Sequence, residues 1–226
     1  MYTACRIIKD FKRPDPELVK RFRGMPVANI DDNMGRTAAV DASIVPIGKG
    51  QLLGTAFTIR VPQGDNLMFH AAMDLAKPGD VILIDAGGFE NRAIFGELMA
   101  AYCRSLGIAG IVCDGAIRDC DGISQMDDFP VYARSVTPDG PYKNGPGEIN
   151  VPVVIGGKTV RPGDIIVGDQ DGIVIIAPEI AGEVADAVLE TEKKETAIMK
   201  EILENGAYLR PWVSEKLKEI NCEIIN

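Results

Sequence analysis

Two periodicities alternate along the chain. Short, nearly continuous apolar runs rich in branched residues, "LLGTAFTIRV" (52–61), "VILID" (81–85) and "GIAGIVCD" (107–114), predict strands buried on both faces. Between them, "NLMFHAAMDLA" (66–76) has helical spacing and stops at the turn "KPGD". "GELMAAYCRSLG" (96–107) repeats Leu98, Met99, Tyr102, Cys103 and Leu106 at helical spacing, with Gly107 as its stop. The order strand, helix, strand predicts two parallel neighbours, and ligand sites in such units gather at the carboxyl ends of the strands. "AGG" (86–88) and "GAIRDCDG" (115–122), which follow the two strands, are therefore expected to face one crevice.

Upstream, residues 14–34 read as helix and turn, with Asp15 and Pro16 suited to a helix start. From "FPVYARSV" (129–136) onward the pattern changes to short strands, with hairpins expected at Gly156-Gly157 and Asp171-Gly172. A charged amphipathic helix over about 179–204 is expected to close the core, and the long loop "TPDGPYKNGPGE" (137–148) to be ordered by packing on a neighbour. These patterns amount to an α/β fold with a mixed sheet.

Composition narrows the classes. A chain of 226 residues with 46% hydrophobic content can bury one full core, so a single domain over 1–226 is expected. Its apolar stretches are broken by Gly or Asp well short of the roughly 20 residues of a membrane helix. "MYTACRIIKDFKRPDPE" lacks the apolar core of a secretory signal, which predicts a cytoplasmic protein with no membrane partner. A net charge of −9 disfavours nucleic acid as a partner and suits cations. Five cysteines without a CxxC spacing read as reduced, structural thiols. The single histidine, His70, excludes a two-histidine zinc site and is expected to be structural, so acid–base chemistry falls to carboxylates, lysines or water.

The chemistry concentrates in "CDGAIRDCDG" (113–122). If Gly96 caps the second helix, the N–H groups of Glu97, Leu98 and Met99 point outward and form an anion site. Arg118 has the planar fork that matches a carboxylate or an enolate oxygen, and Asp119 is a hard oxygen ligand for Mg²⁺ or Mn²⁺. Glu97 could hold one of the metal's waters. Metal and arginine together would stabilise the negative charge that develops on a 2-oxo acid during carbon–carbon cleavage. Spacing alone also fits blander roles: Arg118-Asp119 as a surface ion pair, Asp85, Asp114 and Asp121 as turn formers, and Asp169 and Asp171 as hairpin residues. The lysines lie in polar turns or on the charged helix, which disfavours a Schiff-base mechanism.

Three blocks, "GDVILIDAGG", "GELMAAYCRSLGIAGIVCDGAIRD" and "GPYKNGPGEINVPVVIGGKTVRPGDIIVGDQDGIVIIAP", resemble the RraA-like family. It contains the 4-hydroxy-4-methyl-2-oxoglutarate aldolases, also called 4-carboxy-4-hydroxy-2-oxoadipate aldolases, and the regulators of ribonuclease E activity. The likeness runs from about residue 20 to 205, and its most specific part is Glu97 followed, after twenty residues, by Arg118-Asp119. The resemblance implies a three-layer αββα sandwich assembled as homotrimers or homohexamers, with sites at subunit boundaries. It also implies that Gly96, Glu97, Leu98 and Met99 bind substrate, that Arg118 binds it and acts with Glu97 in catalysis, and that Asp119 holds the divalent metal. A C-terminal acid of a neighbouring subunit approaches that metal, and Glu195 is the candidate, with Glu192 next. This chain carries Glu97 where those aldolases carry aspartate.

Two functions follow as expectations. The first is a metal-dependent (class II) aldolase, a lyase that releases pyruvate from 4-hydroxy-4-methyl-2-oxoglutarate or 4-carboxy-4-hydroxy-2-oxoadipate, with oxaloacetate decarboxylase activity. The second is a non-catalytic regulator that binds a ribonuclease or helicase.

Overall fold

The computed structural model describes residues 4–225, and the chain divides into two compact units, Met1–Val188 and Leu189–Asn226. The first unit begins with β1 (Arg6–Ile7), α1 (Pro16–Lys20), α2 (Val27–Asn33), β2 (Val45–Pro46) and β3 (Leu52–Arg60). It continues through α3 (Leu67–Met73), β4 (Asp80–Ala93), α4 (Glu97–Ser105), β5 (Gly110–Ile117), α5 (Cys120–Ser124) and β6 (Val131–Val136). The short strands β7 (Glu148–Ile149), β8 (Val153–Ile155), β9 (Lys158–Val160), β10 (Ile165–Asp169) and β11 (Gly172–Ile176) follow. Helix α6 (Pro178–Asn205) runs into the second unit, which also holds α7 (Pro211–Glu219).

Strands β3, β4, β5 and β6 lie side by side and parallel, while β10 pairs antiparallel with both β3 and β11, so the sheet is mixed. Alternation along the strands sorts the apolar residues into layers. Ile82, Ile84, Ile111 and Cys113 face α3 and α4, packing with Phe69, Phe95, Ala100 and Cys103. Val81, Leu83, Val112 and Tyr132 point the other way, onto Val153, Ile155, Ile166 and Ile173. Ile165, Val167, Val174 and Ile176 then turn to Phe22, Ile30, Ala181 and Val188. The layers therefore run helix, sheet, sheet, helix.

Both expected hairpins form, β8–β9 turning at Gly156-Gly157 and β10–β11 one residue earlier than expected, at Gln170-Asp171, and Asp15 caps α1 by accepting the Glu17 N–H. Three details bear on the expectations. Only the first turns of α6 help close the core, through Ala181, Val184, Ala185 and Val188; beyond them no side chain of the helix is buried. The loop 137–148 is held by its own chain: Asp65 accepts the Asn144 and Gly145 N–H groups, and Arg92 donates to the Gly140 carbonyl and pairs with Asp139 at 2.8 Å. His70 is exposed in the last turn of α3. Among the described residues no helix is long and apolar enough to cross a membrane.

Candidate functional site

The site is built by backbone pairing past the ends of β4 and β5. Ile94 N–H donates to the Ala116 carbonyl and Arg118 N–H to the Phe95 carbonyl, which lays Gly96 beside Asp119. Gly96 is the N-cap of α4, as expected, in an extended conformation with no side chain to offer the helix. The Asp119 carboxylate takes that role from the other strand, accepting the Glu97 N–H at 3.2 Å. A Cβ at Gly96 would overlap Asp119 Oδ2, so the absent side chain is what admits the acid. Asp119 itself sits at φ 57°, the left-handed region that aspartate tolerates better than most residues.

The expected trio of free amides is thus a pair. Glu97 N–H is taken by Asp119, while Leu98 and Met99 precede the first regular bond of the helix, from Ala100 N–H to the Gly96 carbonyl. Leu98 is 87% exposed and Met99 packs on the core, so neither side chain lines the cleft. Arg118 is half exposed, its guanidinium makes no hydrogen bond among the described residues, and its Nε lies 3.6 Å from Asp119 Oδ2. Its fork is therefore available to an anion. Glu97, Arg118, Asp119 and Gly122 line an open cleft together with Val136, Thr137 and Pro138.

Burial, and then the Asp121 charge, raise the Cys120 thiol above its ordinary range, which keeps it protonated and unsuited to nucleophilic work. Cys103 is pushed up to about 12 by burial. The described residues of the single chain contain no group of three or more His, Cys, Asp or Glu side chains that could hold a metal ion. One or two carboxylates suffice for Mg²⁺, which keeps several waters, so Asp119 with Glu97 fits a hydrated divalent ion. Glu195 lies on α6 in the second unit.

Two expectations are corrected. "AGG" does not face this cleft: Gly88 approaches the Arg134 and Asp114 side chains instead. Asp114 does not shape the turn before Arg118. It is buried in β5, pairs with Arg134 at 2.6 Å and accepts the Gly156 N–H, tying the sheet to the β8–β9 hairpin. Sequence reasoning missed Gly122 and Gly140. A Cβ on Gly122 would overlap the Glu97 carboxylate, and one on Gly140 would lie 3.1 Å from an Arg118 guanidinium nitrogen. The available signal for the former was a glycine within a helix, where propensity disfavours it.

The RraA-like family model, described as Aldolase/RraA, matches residues 27–175. The chain belongs to the RraA-like family. A relative from Halalkalibacterium halodurans, named "Putative 4-hydroxy-4-methyl-2-oxoglutarate aldolase", is 38% identical over 87% of this chain and 96% of its own. The solved structure of an uncharacterized protein from Pseudomonas syringae pv. tomato shares the fold at a TM-score of 0.76 and 24% identity, covering 86% of this chain and 96% of that one. A Streptomyces coelicolor structure, described as an unusual member of the RNase ES inhibitor RraA protein family, superposes at a TM-score of 0.73 with 27% identity, over 83% and 100% of the two chains. The RraA-like family thus includes relatives named for a lyase activity and relatives named for inhibiting a ribonuclease.

Proposed function

We propose that this RraA-like protein is a divalent-metal-dependent lyase that releases pyruvate from 4-hydroxy-4-methyl-2-oxoglutarate or 4-carboxy-4-hydroxy-2-oxoadipate, and from oxaloacetate. The observation that carries the reading is an Arg118 guanidinium free of hydrogen bonds among the described residues, 3.6 Å from Asp119 at the capped start of α4. Asp119, with Glu97, would hold Mg²⁺ or Mn²⁺, and such an ion supplies a Lewis acid for the 2-oxo group. Arg118 holds the substrate carboxylate and the oxygen on which charge develops, aided by the Leu98 and Met99 N–H groups. Glu97 receives the proton of the C4 hydroxyl, through water, as the C3–C4 bond breaks. C4 leaves as the carbonyl carbon of one product, and the C3 enolate is protonated to pyruvate. Oxaloacetate loses CO₂ to the same enolate, so one arrangement serves both reactions. The assembly that completes the site is a homotrimer or homohexamer, with Glu195 of a neighbouring copy approaching the metal.

The test is pyruvate release from each substrate with EDTA present and with Mg²⁺ or Mn²⁺ restored. Turnover that requires metal is the expected result. No turnover by the folded, metal-supplied protein would sink the reading and favour a ribonuclease-binding role like that named for the Streptomyces relative.

A further inference from the structure

The starts of α4 and α5 exchange carboxylates. Asp119, which begins α5, fills the space above Gly96, and Glu97, which begins α4, fills the space above Gly122. The first half is sealed by a hydrogen bond; the second rests on the glycine alone. Gly122 lies within the helix Cys120–Ser124 and is absent from the residues with positive φ, so its backbone conformation does not call for glycine. Alanine is the better helix former there. The three heavy atoms nearest a Cβ at this position all belong to the Glu97 carboxyl group, with Oε1 at 3.0 Å and Oε2 and Cδ closer still.

We infer that Gly122 is a positioning residue for Glu97: its missing side chain lets the glutamate fold back from α4 onto α5, so that the carboxylate lines the cleft with Asp119 and Arg118. A methyl group at 122 would evict it, whereas a side chain one methylene shorter at 97 would not reach the methyl group. Glu97 and Gly122 are therefore a matched pair. The inference rests on the lyase reading for its effect on turnover, but the pairing itself is a property of the metal-free chain.

A double-mutant cycle tests both levels, using Gly122→Ala, Glu97→Asp and the combination in the full-length protein. In metal-free protein, Gly122→Ala is expected to raise Tm less with Glu97 present than with aspartate at that position. With aspartate at 97 it should raise Tm by about 2–4 °C, the ordinary benefit of replacing a helical glycine. In metal-restored protein, Gly122→Ala alone should lower kcat at least about tenfold with little change in KM, and should add almost nothing to the effect of Glu97→Asp. Equal Tm shifts in the two backgrounds would overturn the pairing, whether or not the protein releases pyruvate. An unchanged kcat for Gly122→Ala, in a protein whose wild type does release pyruvate, would overturn the positioning role. Absence of pyruvate from the wild type refutes the lyase reading and leaves the Tm cycle to decide the pairing.

Discussion

Asp119 serves two purposes, capping α4 through the Glu97 N–H and presenting a carboxylate beside Arg118. Asp119→Asn keeps an acceptor for the cap and removes the charge. The expected outcome is a fall of at least about 100-fold in metal-stimulated kcat with Tm little changed, measured by pyruvate release and thermal unfolding. A different acid carries a pH signature. Burial holds the Asp164 carboxyl above its usual range, outweighing the help from the Arg161 N–H and charge. A carboxyl raised in the folded state favours folding only while protonated; its contribution is complete below the unfolded value near 3.8 and is lost as pH rises through the folded value. Asp164→Asn should therefore raise the urea midpoint relative to wild type at pH 7, and the difference should shrink toward pH 4. A constant difference across that range would contradict this account.

Elements in this molecule are joined by buried acids that accept backbone N–H groups. Asp65, 3% exposed, accepts from Leu67 at the start of α3 and from Asn144 and Gly145 in the long loop. That loop carries Gly140 against the Arg118 guanidinium, so one carboxylate links a helix start to the wall of the cleft. Asp65→Ala leaves three backbone donors without their acceptor and is expected to cost about 3 kcal/mol, read from denaturant unfolding, with a raised KM for the 2-oxo acid. An effect below about 1 kcal/mol would show that water replaces the acid freely. The longer helices and strands of the first unit were legible in the sequence, because apolar spacing follows local geometry; the short β1, β2 and α5 were not. The continuation of β4 through "GGFENRA" was not, since its partners, Gly115 and Ala116, become visible only when β5 lies beside it.

For the whole molecule, the second unit exposes Leu203, Leu209 and Trp212 on α6, α7 and their connection. With the proposed homotrimer or homohexamer, light scattering should give three or six times 24.3 kDa, and a monomeric mass at micromolar concentration would contradict it. By itself the sequence determined the strands and helices from β3 to β5, the parallel strand pair, the two hairpins and Gly96 as the N-cap of α4, because each is written in local spacing or in a short motif. Only the tertiary structure decided that Asp114 ties two layers together, that Asp119 takes one of the three expected amides, and that Gly122 makes room for Glu97. Those facts depend on which side chain from a distant segment enters a given space, and a one-dimensional pattern carries no information about the volume left beside a glycine.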